Sequence, residues 1–513
     1  MRRSALLSIF VLSLGGCAVG PVATPLDAPI PAKWSEAPRS KASPAQLGDW
    51  WRCFDDPVLD ALIKEAIAGN QSVAGAKARV REARASRRVY AAALLPTVSG
   101  AASSTRQQSS ASETGIGGAS GLPTSGTGLA GGGAGVYTLF VGGLDASWEI
   151  DIFGGDRRTL EASDLAARAA EDDLDAALLT LVVDVATYYI EARGYQARTS
   201  LARSTAKSQR KTAALTRSKF QAGSASAVDT SKAEALAANT EATIPPFRTA
   251  FDQATHRLSI LTGQAPGALA AQLAAERPIP STRKTLPLGL PGDLLSNRPD
   301  VRAAAKRVAQ YTAQIGAAEA QLYPKLTLTG ALSSNALRIE DFAKASTIAW
   351  SWGPSLSIPF FQGGKLTAQV DYAKAARDEY LVSWRATVLT ALEDVENATV
   401  ALAQEKLHAK KLAESAAGYG KAAALSQSLY TFGSASFLDV LDAQRSLYAE
   451  QDSLLVSRIA IATDHVALAK ALGGGWSRPV DPALPAVIDV NEGPRVAAAQ
   501  EMMGPEPKAA IQP

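Results

Sequence analysis

Cysteine, histidine and methionine are nearly missing from these 513 residues. Two cysteines, Cys17 and Cys53, are too few for a disulfide framework. Three histidines, His256, His408 and His465, lie far apart in sequence, which argues against a histidine-based metal or catalytic centre. Aromatic residues make up only 6% of the chain, and a formal charge of +3 is close to neutral for this length. No basic run suggests nucleic acid as a partner, and there is no acidic tail. No nucleophile–base constellation, phosphate-binding glycine loop or metal-ligand spacing occurs, so an enzyme, a metal and a cofactor are not expected. Past the N-terminus no stretch holds enough uninterrupted apolar residues for a transmembrane helix. A membrane span must therefore be a β-barrel.

What is present is alanine, in long runs of helical periodicity. Ala-rich, aromatic-poor chains suit long, closely packed helices. The N-terminus has a targeting pattern: Arg2-Arg3, an apolar run from Ala5 to Leu14, then Leu14-Gly15-Gly16-Cys17. It resembles a bacterial lipobox. That resemblance implies a signal peptide over 1–16 and a lipid-modified (palmitate-bearing) Cys17. Ala18 follows in place of the Asp that signals inner-membrane retention, which favours the outer membrane. Residues 17–48 are Pro-rich and polar and should run extended.

The chain then says the same thing twice. Residues 49–263 contain Trp50-Trp51, helical segments at 57–69 and 71–94, a β-hairpin over 97–153 and a helical hairpin over 156–262. Residues 264–296 read as a linker. Residues 297–473 restart at Asn297-Arg298-Pro299-Asp300-Val301, with a β-hairpin over 325–359 and a helical hairpin over 365–472. A tail, 474–513, follows. The Gly/Ser-rich stretch 109–135 is an insertion confined to the first β-hairpin. Leu174, Leu178, Leu181, Val185, Tyr188, Ala192 and Tyr195 recur 4-3-4-3-4-3, a coiled-coil seam. Pro245-Pro246 should interrupt the first returning helix.

Each helical hairpin turns on a matching motif. Phe220-x-x-Gly223-Ser224-Ala225-Ser226-x-x-Asp229 and Tyr430-x-x-Gly433-Ser434-Ala435-Ser436-x-x-Asp439 lie 210 residues apart. Gly serves the left-handed end of one helix. Ser with Asp three residues on predicts a capping box for the next. Asp442 lies a turn beyond Asp439, where capping does not explain it; Lys232 holds the equivalent place in the first copy.

Four strands cannot close a membrane barrel, so the chain must oligomerise. Two copies give eight strands with an interior filled by side chains; three, the favoured number, give twelve strands and room for a channel, continued by a helical tube roughly 100 Å long. Tyr137, Phe140, Trp148 and Phe153 around the first hairpin, and Trp350, Trp352, Phe360 and Phe361 around the second, fit a membrane interface.

From the lipobox to Trp476 the chain resembles the TolC-type outer-membrane factor family, in its NodT-like lipoprotein branch. The resemblance rests on Trp50-Trp51 with Asp56-Pro57, Asn297 to Val301, Pro359-Phe360-Phe361-Gln362-Gly363-Gly364, Ala391 to Ala398, and the two tips. It implies a homotrimer: a twelve-strand outer-membrane β-barrel continued by a twelve-helix periplasmic α-barrel. It also implies a periplasmic adaptor (membrane fusion protein), docked on Gly223, Ser224, Ala225, Gly433, Ser434 and Ala435, and an inner-membrane pump of the RND type. The expected role is a passive exit duct in a tripartite efflux system for drugs or other toxic compounds. The alternative is a duct for type I protein secretion. The resemblance further implies that Asp439 and Asp442 line the constricted periplasmic mouth. Asp229 joins them, although it and Asp439 have the capping role as an equal alternative. Some relatives place an Arg where this chain has Ala435, so closure here must rest on packing or hydrogen bonds, with Tyr430 as a donor. Glu393, Asp394 and Glu396 have two readings, a tunnel lining or, more commonly for an acidic run on a long helix, a solvated face.

Overall fold

The computed structural model describes residues 18–28, 30–35, 48–108, 136–282, 286, 291–475 and 480–484. Cys17, the stretch 109–135 and the chain beyond 484 lie outside the described residues.

A 3-10 turn, Trp50–Phe54, opens the first repeat, followed by α1 (Pro57–Gly69) and α2 (Gln71–Ala92). Both helices start as their residues dictate. Asp56 Oδ1 accepts from the Val58 and Leu59 amides ahead of Pro57, whose missing N–H costs nothing at the first position. Asn70 Oδ1 caps α2 through the Ser72 and Val73 amides, while its Nδ2 donates to Leu261 O at 2.9 Å. Strands β1 (Thr97–Gln108) and β2 (Val136–Ile150) lead to the long helix α3 (Gly155–Gln221). The chain returns in two pieces, α4 (Ala227–Ala242) and α5 (Ile244–Leu261). The break falls at Thr243, because Pro245 has no N–H for the Glu241 carbonyl. Two four-residue helices, α6 (Ala270–Leu273) and α7 (Leu294–Asn297), lie in the expected linker region.

The second repeat has the same order: α8 (Pro299–Ala320), β3 (Lys325–Ala336), β4 (Ile348–Ser357), α9 (Lys365–Thr431) and α10 (Phe437–Ala471). The long helices α3 and α9 have the same length, 67 residues, or about 100 Å at 1.5 Å per residue. Gly154 and Gly364 enter them at φ +81° and +83°. Unlike the first return, α10 is unbroken over 35 residues. Among the described residues no helix is long and apolar enough to cross a membrane.

The four strands form one antiparallel sheet in the order β1-β2-β3-β4. Its register sorts the side chains by parity. One row runs Gly100, Leu144, Leu332, Trp350; the next runs Val98, Ala146, Gly330, Trp352; below them Trp148 pairs Leu328, which pairs Pro354. The rows between read Ser99, Asp145, Ala331, Ser351 and Glu149, Thr327, Ser355. Side chains alternate faces along a strand, so one face is apolar and the other small or polar. The apolar face is uncovered over its middle: Trp350 and Trp352 are 71% and 73% exposed. They lie inside β4 rather than at its ends. Phe360 and Phe361, just past β4, are 91% and 89% exposed, and Phe153 stacks on Tyr323 at 4.7 Å at the foot of β2.

The helical core is equatorial. Trp50, Trp51 and Phe54 pack with α1, α2 and the Leu174–Ala192 seam of α3, and Tyr189 donates to Asp56 Oδ2 at 2.6 Å. A second cluster joins α8, α9 and the end of α10 around Trp384 and Val395. The N-terminal segment crosses both levels. Val19 N donates to Phe153 O at 3.1 Å at the foot of the sheet. Gly20 touches Gly316 so closely that a Cβ on Gly20 would come within 2.3 Å of the Gly316 Cα. Further on, Trp34 packs on the second cluster, and Glu396 accepts from the Ser35 amide and hydroxyl at 2.8 and 3.0 Å. The acidic run on α9 is thus not a plain solvated face. Asp394 also has a partner, Arg298, at 2.9 Å, and that guanidinium reaches Asp300 and the Ala471 carbonyl as well.

Candidate functional site

The two tips form as their motifs require. Gly223 and Gly433 sit at φ +77° and +79°. The Ser224 amide reaches back to Lys219 O and the Ser434 amide to Leu429 O, both at 2.8 Å, satisfying carbonyls that each helix end leaves free. Ser226 Oγ then accepts from the Asp229 amide at 3.1 Å, and Asp229 Oδ2 accepts from the Ser226 amide at 3.1 Å. Ser436 and Asp439 repeat this at 3.3 and 3.1 Å. Both capping boxes are complete.

Similar in backbone, the tips differ in packing. Tyr430 is 5% exposed, whereas its counterpart Phe220 is 45% exposed. Tyr430 leans onto the other hairpin: its hydroxyl donates to Thr216 Oγ1 at 3.2 Å, and its ring lies edge-on to Phe437 at 5.8 Å. Lys219 donates to the Tyr430 carbonyl and stands 4.4 Å from the Tyr430 ring centroid, a cation over an aromatic face. Ala213, Ala233 and Val440 complete this small core. A turn up, Gln444 Nε2 bridges Thr212 Oγ1 and Gln427 Oε1 at 3.0 and 3.1 Å. Higher still, Thr243 meets Tyr448 at 3.0 Å, and Arg198 grips Asp452 through two bonds of 2.7 and 2.8 Å. The hairpins are laced together along their length.

Of the expected aperture residues, Asp439 and Asp442 are exposed and Asp229 is half-buried. Asp442 makes no hydrogen bond or ion pair among the described residues, and neither does Lys232. Tyr430 does not point into open space; it is the pin between the hairpins of one chain. Gly223, Ser224, Gly433 and Ser434 are exposed, Ala225 and Ala435 half-buried. An added Cβ on either Gly would meet nothing within 4 Å, so the tips end in free surface. Lys219, Thr216, Gln427 and Gln444 escaped the sequence reading. The available signal was the mismatch between copies: Lys219 stands opposite Leu429, and Ala227 opposite Phe437.

A duplicated long-helix hairpin under a two-faced sheet is a specific architecture, and comparison with known proteins identifies it. The sequence profile described as outer membrane efflux protein matches residues 62–264 and 290–474. The chain belongs to the outer membrane efflux protein family. Nodulation protein T of Rhizobium leguminosarum bv. trifolii is 34% identical over 476 residues, covering 91% of this chain and 96% of that one. The pyoverdine export outer membrane protein OpmQ of Pseudomonas aeruginosa is 32% identical over 481 residues, covering 93% and 97%. Among solved structures, the outer-membrane channel OprN superposes with a TM-score of 0.81 at 32% identity, covering 90% of this chain and all of that one. Family and fold are those of TolC-type outer-membrane efflux channels, mainly helical with a β-barrel part.

Proposed function

We propose that three copies of this chain form the outer-membrane exit duct of a tripartite efflux system, fed by an inner-membrane pump through a periplasmic adaptor. One observation carries the reading. A sheet with one apolar and one polar face, open at β1 and at β4, is complete only when closed on copies of itself, with the apolar face in lipid and the polar face around water. Three copies make twelve strands. The helices α3, α4, α5, α9 and α10 then continue the wall into the periplasm, and six tips surround its end. The exposed Gly-Ser pairs of the turns, with half-buried Ala225 and Ala435 beside them, are the adaptor's docking surface. Asp439 and Asp442 ring the mouth, where six carboxylates favour cations.

Lipid attachment at Cys17 fits the same frame. Ala18 lies against Gly154 and Val19 bonds Phe153, so the first described residues sit at the foot of the sheet, the end at which a lipid anchor would be needed. The name of the relative OpmQ, for pyoverdine export, supports small molecules as cargo over secreted proteins.

Purified protein in a planar bilayer tests this. Stable unit conductances, with one trimer per channel by mass measurement, are expected. A monomer, or a protein that anchors to lipid without conducting, would refute the duct.

A further inference from the structure

Beneath residues 278–282 the structure holds a cavity of about 450 Å³ that the duct reading does not use. Its walls come from five parts of the chain, one of them Ala197 on α3. On α10, Leu455, Arg458, Ile461, Ala462 and His465 recur at three- and four-residue spacing and so share one face. From α9, Leu402 and Lys406 face them, one turn apart. Phe54 closes one end. Pro278-Ile279-Pro280 forms the lid, held stiff by its prolines. The lid is anchored upstream: Arg193 donates to the Leu273 and Ala275 carbonyls at 3.2 and 2.8 Å, and Gln196 donates to Leu273 O at 2.7 Å. A second cavity of about 580 Å³ adjoins it, sharing Ala197, Pro278, Leu455 and Arg458, and is lined by Gln196, Ser200, Ser204 and Gln451. The pair makes an apolar chamber beside a vestibule of mixed lining, in which Leu201 and Leu454 stand among the polar side chains.

The charged side chains that line the chamber, Lys406 and Arg458, have one sign and stand at its exposed rim. Lys406 and Arg458 form no ion pair among the described residues, whereas Arg198, Arg210, Arg298 and Arg302 each close one. Glu276 and Arg277, of opposite sign, both line the vestibule. His465 is 2% exposed; its Nε2 meets the Cys53 thiol at 3.3 Å, and its ring stands edge-on to Phe54 at 5.6 Å. Burial, and then the Lys406 ammonium, push His465 down to about 4, so it remains a neutral polar group at the chamber wall. Water in an apolar chamber lacks partners, and an apolar body that displaces it gains by the hydrophobic effect. A cation without a carboxylate at the rim of such a chamber selects a ligand that brings one.

We propose that this cavity binds an amphipathic organic anion, its apolar body on Phe54, Leu402 and Ile461 and its carboxylate on Lys406 and Arg458. The cavity is lined from within one chain, so binding there is measurable whether or not the chain forms a duct.

The test uses the full-length protein in zwitterionic nanodiscs, titrated calorimetrically with 2-naphthoate and, as a neutral match in shape, 2-naphthalenemethanol, with empty nanodiscs as blank. One saturable site per chain is expected for naphthoate, with the alcohol weaker by roughly tenfold or more. The double variant Lys406→Gln, Arg458→Gln, changed only at exposed side chains, should weaken naphthoate by a similar factor and bring the two ligands together. Ala197→Leu, which narrows the passage between chamber and vestibule, should weaken both. Equal binding of acid and alcohol, unchanged binding in the double variant, or no saturable binding would each overturn the proposal. No pump or conductance enters the measurement, so its failure leaves the duct untouched.

Discussion

The Tyr430 hydroxyl donates to Thr216 Oγ1 at 3.2 Å, joining the last turns of α9 to those of α3. With Lys219 above the same ring, it locks the second tip to the first within one chain. An iris that opens by splaying the second hairpin must break this contact first.

Tyr430→Phe keeps the ring and removes the hydroxyl. One neutral hydrogen bond contributes about 1 kcal/mol, so the open fraction should rise roughly fivefold. Single-channel recordings at fixed voltage check it. Lys219→Met should act in the same direction. If both variants leave open probability unchanged, the lock does not govern the mouth.

The two tip carboxylates separate by role. Asp439 completes a capping box, while Asp442 has no partner among the described residues. Asp442→Asn should weaken divalent-cation block and leave unfolding unchanged. Asp439→Ala should weaken block and cost about 0.5–1 kcal/mol of helix stability. Calcium titration of the single-channel current, paired with thermal unfolding, distinguishes them. Unchanged block in the double variant Asp439→Asn, Asp442→Asn would exclude an acidic mouth.

Gly433 and Gly223 hold left-handed backbone in open space. Replacement by Ala should cost about 1–2 kcal/mol each through the backbone alone. Replacement by Trp adds bulk at the proposed docking surface, and should abolish efflux in a susceptibility assay while the trimer survives on a non-denaturing gel. A lost trimer would assign the tips to assembly.

Asp175 on α3 faces Arg302, which also holds Asp172, at 2.8 and 2.6 Å. Burial outweighs the Arg302 charge and raises Asp175 from 3.8 to about 6. The folded state therefore binds this proton more tightly than the unfolded chain. Its contribution to stability is full below about pH 4 and is lost as pH rises through about 6. Asp175→Asn removes the titration and should shrink the drop in melting temperature between pH 5 and pH 7.5. An undiminished drop would show that other groups carry it.

The periodic and duplicated parts of the molecule were legible in the sequence. The four strands, the seam from Leu174 to Ala192, the two capping boxes and the stop before Pro245 are local patterns, written in spacing. What escaped depends on residues hundreds of positions apart. Nothing near Glu396 announces Ser35, and nothing near Arg298 announces the Ala471 carbonyl. Tyr430 is legible as a hydrogen-bond donor near the tip, but its partner Thr216 lies on the other hairpin, and Phe437 and Val440 complete a small core around the Tyr430 ring. Duplication makes the copies look alike; the differences at Lys219 and Phe437 decide how they fit together.

Thr243 divides the first returning helix, while α10 runs unbroken. Thr243 keeps right-handed helical angles, φ −77° and ψ −18°, so the break is a kink at which the first returning helix bends more readily than α10 does along its length. The hydrogen-bond ladder of α10 joins the tip at Ser436 to His465, 29 residues away in sequence and about 44 Å along the axis, without a gap. The ladder that starts at Ser226 ends at Thr243, only about 26 Å up. One return is a beam and the other a beam with a crease.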